Sequence, residues 1–179
     1  MERLRPSHRA VIAFGANLGD RAATIRAAAD ELDAVPGVHV RVLSPLVESA
    51  AVTLSGVDAD VPEYLNAVAL VDTALDPYAL LDRLHAIEDA HGRVREERWG
   101  SRTLDLDIVD YDGRVLEDDR LTLPHPRAAE RAFVLAPWHA VDASAELPGR
   151  GSVVDLLAPL AGTVRAHLPA TGADGESTT

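Results

Sequence analysis

Leu104-Asp105-Leu106-Asp107-Ile108 is the segment that most limits how this chain can fold. Apolar and acidic residues alternate with period two. As a β-strand the segment turns both carboxylates to one face and its three aliphatic side chains to the other. The aliphatic face demands a core behind it. The carboxylates would stand roughly 6.5–7 Å apart, given about 3.3 Å of rise per residue. Two like charges that close to a core resist ionising together unless a cation offsets them. A hard divalent ion, held by one or two carboxylates and by substrate phosphates, is the usual solution. Just upstream, Arg93, Arg95, Arg98 and Arg102 fall within ten residues, beside Trp99 and Gly100. Guanidiniums are planar, always charged and suited to phosphate oxygens. The combination reads as a metal–nucleotide site, against the blander alternative of a solvated charged loop followed by an ordinary strand.

Composition sharpens this reading. The chain carries a formal net charge of −12, so nothing in its bulk balance calls for four clustered cations. The same acidity argues against nucleic-acid binding, whose footprint is a basic surface. All 17 basic residues are arginine and none is lysine, which excludes a Walker-type phosphate loop and any Schiff-base chemistry. The absence of cysteine excludes disulfides, thiolate metal sites and a Cys nucleophile. No apolar run approaches the ~20 residues that span a bilayer. The basic start, MERLRPSHRA, lacks the longer apolar segment of a secretory signal, so a cytoplasmic location is the expectation.

The 179 residues predict one domain over 9–163, with a flexible lead at 1–8 and a disordered tail at 164–179. Val11 to Phe14 reads as a buried strand. Asp20 caps a helix with Ile25, Ala28, Leu32 and Val35 on one side, which Pro36-Gly37 ends. Val38, Val40 and Val42 alternate as a second strand. Residues 44–62 read as a long connection. Tyr64 to Val71 is a third strand, and Asp76-Pro77 opens a helix with Leu80, Leu84 and Ile87 as its buried stripe. The strand at 103–110 follows the arginines, with a hairpin turn at Tyr111-Asp112-Gly113-Arg114 towards Val115-Leu116. An extended segment at 121–126 and helices near 128–140 and 152–160 complete the chain. This order predicts an α+β fold, a ferredoxin-like βαββαβ core with a C-terminal helical and extended elaboration.

Four segments occurring in order carry a resemblance. They are Phe14-Gly15-Ala16-Asn17-Leu18-Gly19-Asp20, Tyr64-Leu65-Asn66-Ala67, the run from Gly92 through Arg102-Thr103-Leu104-Asp105-Leu106-Asp107, and Leu121-Thr122-Leu123-Pro124-His125-Pro126. Over about residues 9–160 the chain resembles the 6-hydroxymethyl-7,8-dihydropterin pyrophosphokinases of folate biosynthesis. The resemblance implies transfer of pyrophosphate from ATP to the pterin hydroxymethyl group, leaving AMP, on a ferredoxin-like α+β fold. It implies small-molecule substrates, no nucleic-acid or membrane partner, and a monomer or weak dimer.

Position by position, the resemblance implies that Asp105 and Asp107 bind two Mg²⁺ ions bridging the ATP phosphates, one of which also ligates the pterin hydroxyl. Arg93, Arg95 and Arg102 would meet developing charge on the phosphates. On the nucleotide side it places His85, Glu88, Arg95, Trp99, Arg102, Ile108, Arg120, Thr122, His125 and Arg131. On the pterin side it places Ser49, Ala50, Val52, Tyr64, Asn66, Trp99 and Phe133, with aromatic rings to stack on the heterocycle and the Asn66 amide to read its edge. Asn17 is expected to hold neighbouring loops through side-chain hydrogen bonds. Without the resemblance, Phe133 and Tyr64 read as core, His125 as a structural histidine and Glu88 as an exposed helix residue.

The chain departs from the family at Ala16, where Ser is frequent, at Ser101, where Pro is usual, and at His85, where Gln is commoner. The stretch Ala50 to Pro62 lacks the family's usual Pro- and Gly-rich sequence. Two other classes stay open on sequence: another Mg-dependent phosphoryl or nucleotidyl transferase with a different acceptor, and a non-catalytic ligand-binding module.

Overall fold

The structure, a computed structural model, describes residues 7–49, 52–53, 56–57, 63–92 and 103–168. In chain order its elements are β1 (His8–Ala16), α1 (Arg21–Asp33), β2 (Val38–Leu43), β3 (Val47–Ser49), β4 (Val52–Thr53), β5 (Gly56–Val57), β6 (Tyr64–Thr73), α2 (Pro77–Ala90) and β7 (Asp105–Tyr111). There follow β8 (Leu116–Glu117), β9 (Thr122–Leu123), a 3₁₀ turn at Ala128–Glu130, α3 (Ala132–Val141), β10 (Glu146–Leu147), β11 (Gly151–Ser152), α4 (Val153–Leu157), a second 3₁₀ turn at Ala158–Thr163 and β12 (Val164–Ala166).

Local chemistry sets both long helices. The Asp20 carboxylate accepts from the Ala23 amide at 3.0 Å and so caps α1. Asp76 caps α2 by accepting from the amides of Tyr78 and Ala79, at 2.9 and 3.0 Å, with Pro77 in the first turn. Ile25, Ala28 and Leu32 of α1 and Leu80, Leu84 and Ile87 of α2 are buried as their spacing requires.

The main sheet is antiparallel, ordered β12-β3-β6-β1-β7, with β2 also paired to β6. Strand alternation divides its two faces. Ile12, Phe14, Leu65, Ala67, Leu106 and Ile108 pack with α1 and α2 in the larger core. Val11, Val68 and Val109 pack with Val134, Leu135 and Trp138 of α3 in a second core. Asp105 and Asp107 alternate with Leu106 and Ile108, and therefore belong to the α3 side of the sheet.

Strands β2 and β3 lie end to end along one edge of β6. Ser44 fills the gap between them: its amide donates to the Val68 carbonyl at 2.8 Å, and its hydroxyl accepts from the Val68 amide at 2.9 Å. A side chain there replaces a missing ladder partner. The register of β2 shifts between Val40 and Val42, which leaves Val42 exposed rather than half-buried as simple alternation predicts.

Four expectations need correction. His8 begins β1, and its Nδ1 lies 2.7 Å from Asp112, so the lead does not extend to residue 8. Val164–Ala166 is a paired strand on β3, so the tail does not begin at 164; apolar burial gave no signal there because the strand is half-exposed and held by backbone and charge. The connection at 44–62 contains β3, too short to show a period. Asp112 and Gly113 do form a turn with φ of 56° and 67°, but β8 pairs with β9 rather than back onto β7. Among the described residues, no helix is long and apolar enough to cross a membrane.

Replacing Ser44 by Ala would strand the buried Val68 amide. The expected cost is about 1–3 kcal/mol of folding stability, read as a lower denaturant midpoint with an unchanged slope.

Candidate active site

The central residue of the site is the smallest one. Gly15 on β1 faces Asn66 on β6 and Asp105 on β7, so an amide, a bare backbone and a carboxylate form one row across three strands. Ala13 faces Asp107 in the next row. A Cβ at Gly15 would come within 3.4 Å of the Asn66 Oδ1 and 3.9 Å of the Tyr64 ring. Small residues on β1 thus keep the floor low between two polar walls.

Above this floor lies a cavity of about 650 Å³. Its lining brings together ten of the residues that sequence assigns to substrates or metal: Ser49, Tyr64 and Asn66 from β3 and β6, His85 and Glu88 from α2, Asp105 and Asp107 from β7, and His125, Arg131 and Phe133 from the segment around α3. A volume in this range suits a small organic substrate or cofactor.

Hydrogen bonds fix several of these groups. The Asn66 Nδ2 donates to the Ser49 hydroxyl at 2.8 Å. Glu88 is buried rather than an exposed helix residue, and its Oε1 accepts from the Leu106 amide at 2.8 Å. That bond ties α2 to the residue between the two aspartates. Asp107 is half-exposed, and its Oδ2 lies 3.9 Å from both the His125 Nε2 and the Arg131 guanidinium. Both contacts are ion-pair distances longer than a hydrogen bond.

The His125 Nδ1 accepts from the Arg127 amide at 3.2 Å. Neutral His125 therefore carries its hydrogen on Nε2, facing Asp107. Burial lowers the His125 pKa below its ordinary value; the Asp107 carboxylate opposes that shift, and Arg131 and Arg127 reinforce it. Burial likewise lowers Arg131, again opposed by Asp107, and a guanidinium so close to a carboxylate stays charged. The Arg131 guanidinium also lies 5.5 Å from the Phe133 ring centre.

The donor set fits a hard divalent ion. Two carboxylates share a solvent-open face, and among the described residues no cluster of three or more His, Asp or Glu could hold an ion unaided. Such a set suits Mg²⁺, which takes one or two carboxylates and completes its shell with water and substrate phosphates.

Other assigned residues lie elsewhere. The Ile108 side chain is buried in the α1/α2 core, which leaves only its backbone to a ligand. Thr122 pairs with Glu117 in the β8–β9 ladder, outside the lining. Arg120 also stands outside it, donating to Asp82 at 2.6 Å with its guanidinium 5.3 Å from the Tyr78 ring centre. Arg93, Arg95, Arg98, Trp99, Arg102 and Ala50 lie outside the described residues, as does the side chain of Val52. Among the described residues Asn17 does not hold neighbouring loops: its buried amide has no hydrogen-bond partner there. Arg127 and Glu130 line the cavity without having been singled out. The signal was the spacing of Arg127 and Arg131 around a short turn after the Pro-His-Pro segment.

Comparison with known proteins settles the family. A sequence model of the 7,8-dihydro-6-hydroxymethylpterin-pyrophosphokinase family matches residues 11–143. The chain belongs to this family. It is 41% identical over 150 residues to the 2-amino-4-hydroxy-6-hydroxymethyldihydropteridine pyrophosphokinase of Pseudomonas aeruginosa, covering 84% of this chain and 90% of that one. It is 43% identical over 129 residues to the enzyme of the same name from Methylorubrum extorquens, covering 72% and 79%. Among solved structures, it is similar to the Plasmodium falciparum HPPK-DHPS wild type with pterin and p-hydroxybenzoate, with a TM-score of 0.65, 15% identity and coverage of 87% of this chain. A second HPPK-DHPS, in complex with substrates, matches with a TM-score of 0.63 and 13% identity over 85% of this chain. The chain spans less than half of those two proteins, 43% of each, and at such identity the likeness concerns the fold.

Two outcomes follow from this geometry. The His125 ring should titrate below about 6.5 in ¹⁵N NMR, and Asp107→Asn should lower it further by removing the anion that favours the imidazolium. Glu88→Ala should cost about 1–3 kcal/mol in denaturation, because it strands the buried Leu106 amide, and should reduce turnover as well.

Proposed function

We propose that this protein transfers pyrophosphate from ATP to the hydroxymethyl group of 6-hydroxymethyl-7,8-dihydropterin, giving the pterin diphosphate and AMP in folate biosynthesis. Family membership carries the reaction, and the observation that carries the site is the row Asn66–Gly15–Asp105, which sets an amide and a carboxylate on opposite sides of a bare floor. The finer reading of the fold is a ferredoxin-like βαββαβ core, supported by the order β7-β1-β6-β2 with α1 and α2 as crossovers; the segments after β7 elaborate it.

The acceptor hydroxyl oxygen bonds to the β-phosphorus of ATP, and the bond from that phosphorus to the α,β-bridging oxygen breaks. AMP leaves, and the hydroxyl proton is released. Tyr64 and Phe133 would stack the pterin ring, while Asn66, oriented by Ser49, reads its polar edge. His85 and Glu88 of α2, which also line the cavity, would take the nucleotide side. Between them, His125 presents its Nε2 hydrogen and Arg131 its guanidinium, where the phosphate oxygens gather negative charge. Asp105 and Asp107 would hold two Mg²⁺ ions. When bound, these neutralise the phosphates and acidify the acceptor hydroxyl. Arg93, Arg95 and Arg102 would complete the cationic clamp, with Trp99 at the pocket, Ala50 and Val52 on the pterin side, and Ile108, Arg120 and Thr122 on the nucleotide side.

Incubation with Mg-ATP should release AMP only when the pterin is present. Asp107→Ala should slow this at least about a hundredfold, as expected when a principal charge-stabilising group is lost. Pterin-independent hydrolysis, or ADP as product, would contradict the proposal.

A further inference from the structure

Outside the cavity, a dense set of charged contacts among the described residues lies where β12 meets β3. In the ladder Arg165 faces Glu48. The Arg165 Nε donates to one Glu48 oxygen at 2.8 Å, and its Nη2 lies 2.8 Å from the same carboxylate while also donating to Glu63. The His167 Nδ1 stands 2.7 Å from the second Glu48 oxygen, and its amide donates to the Leu46 carbonyl at 3.0 Å. From the start of α1, Arg21 donates to the Glu63 carbonyl and approaches Glu48 to 4.0 Å. These contacts hold Glu48 as an anion: the hydrogen bond from His167, then that from Arg165, keeps its pKa below the ordinary carboxylate value despite partial burial.

The position of this clasp matters more than its strength. Glu48 immediately precedes Ser49, and Glu63 immediately precedes Tyr64. Arg165 thus joins β3 and β6 at residues adjacent to two lining groups, and Ser49 in turn holds Asn66. Strand β3 has only three residues, so its ladder alone fixes it weakly. Alternation turns Glu48 to the face opposite Ser49, and Arg165, which does not line the cavity, acts through others.

We propose that Arg165 is a positioning residue for the acceptor half of the site, setting the Ser49–Asn66 pair and Tyr64 by clasping Glu48 and Glu63 together. The inference rests on the reading of Tyr64 and Asn66 as the pterin side. Removing the clasp leaves β3 in several arrangements, only some of which present Asn66 correctly. The pterin then binds more weakly, while the nucleotide wall on α2 is untouched.

The test uses the full chain carrying Arg165→Met, which keeps the aliphatic stem, and Arg165→Lys, which keeps the charge. Pterin-dependent AMP formation is measured while each substrate is varied. Arg165→Met should raise the pterin KM about fivefold, the effect of a competent arrangement populated about one-fifth of the time. The KM for ATP and kcat should stay within about twofold, and Arg165→Lys should recover most of the loss. An unchanged pterin KM, or equal rises in both KM values, would overturn the proposal. Amide hydrogen exchange supplies a second readout that needs no substrate: Tyr64 to Asn66 should exchange faster in Arg165→Met while α2 is unaffected. Unchanged exchange there overturns the clasp. Faster exchange without any pterin-dependent AMP in the wild type overturns the functional reading and leaves the clasp standing as a structural device.

Discussion

The site depends on the register of β1 between β6 and β7. Because Gly15 faces Asn66 on one side and Asp105 on the other, groups distant in sequence stand in one row. Two strand spacings separate the outer pair, roughly 9.5 Å between backbones. That span leaves room for a flat ring and a phosphate chain to meet above β1. A slip of one residue in either pairing would turn the carboxylates or the amide into the α1/α2 core. The apolar partners Phe14, Leu106 and Ala67 oppose this, since each would lose its place in the buried α1/α2 core. Core packing on one face therefore fixes the chemistry on the other.

Around this row, each functional group has a restraint of its own. Glu88 ties the strand between the aspartates to α2, Ser49 orients Asn66, and the Arg127 amide fixes the tautomer of His125. The Asp107 carboxylate is kept just beyond hydrogen-bond contact, at 3.9 Å from the neutral His125 ring and from the Arg131 guanidinium. At that spacing Asp107 closes on neither partner, as the proposed binding of a metal and of phosphates requires.

Much of this was legible in the sequence where a period or a cap carried it. The Asp105/Asp107 alternation, the Asp20 and Asp76 caps and the buried stripes of both helices follow from spacing alone. Other features have no local signature. Strand β3 is too short to alternate visibly, and β12 is held by charge rather than by burial. Glu88 looks like an ordinary helix carboxylate until the fold brings Leu106 against it. The importance of Gly15 lies in what faces it across two strands, which no single segment reveals. Arg120 and Ile108 show the converse limit: position in a motif does not say whether a side chain points into the cavity, a surface ion pair or the core.

The most direct test of this account is a crystal structure with Mg²⁺, a non-hydrolysable ATP analogue and 6-hydroxymethyl-7,8-dihydropterin bound together. It should show the pterin edge on the Asn66 amide, metal at the carboxylates of Asp105 and Asp107, and the reacting hydroxyl above Gly15 between them. Pterin bound away from Asn66, or metal held without the two aspartates, would contradict it.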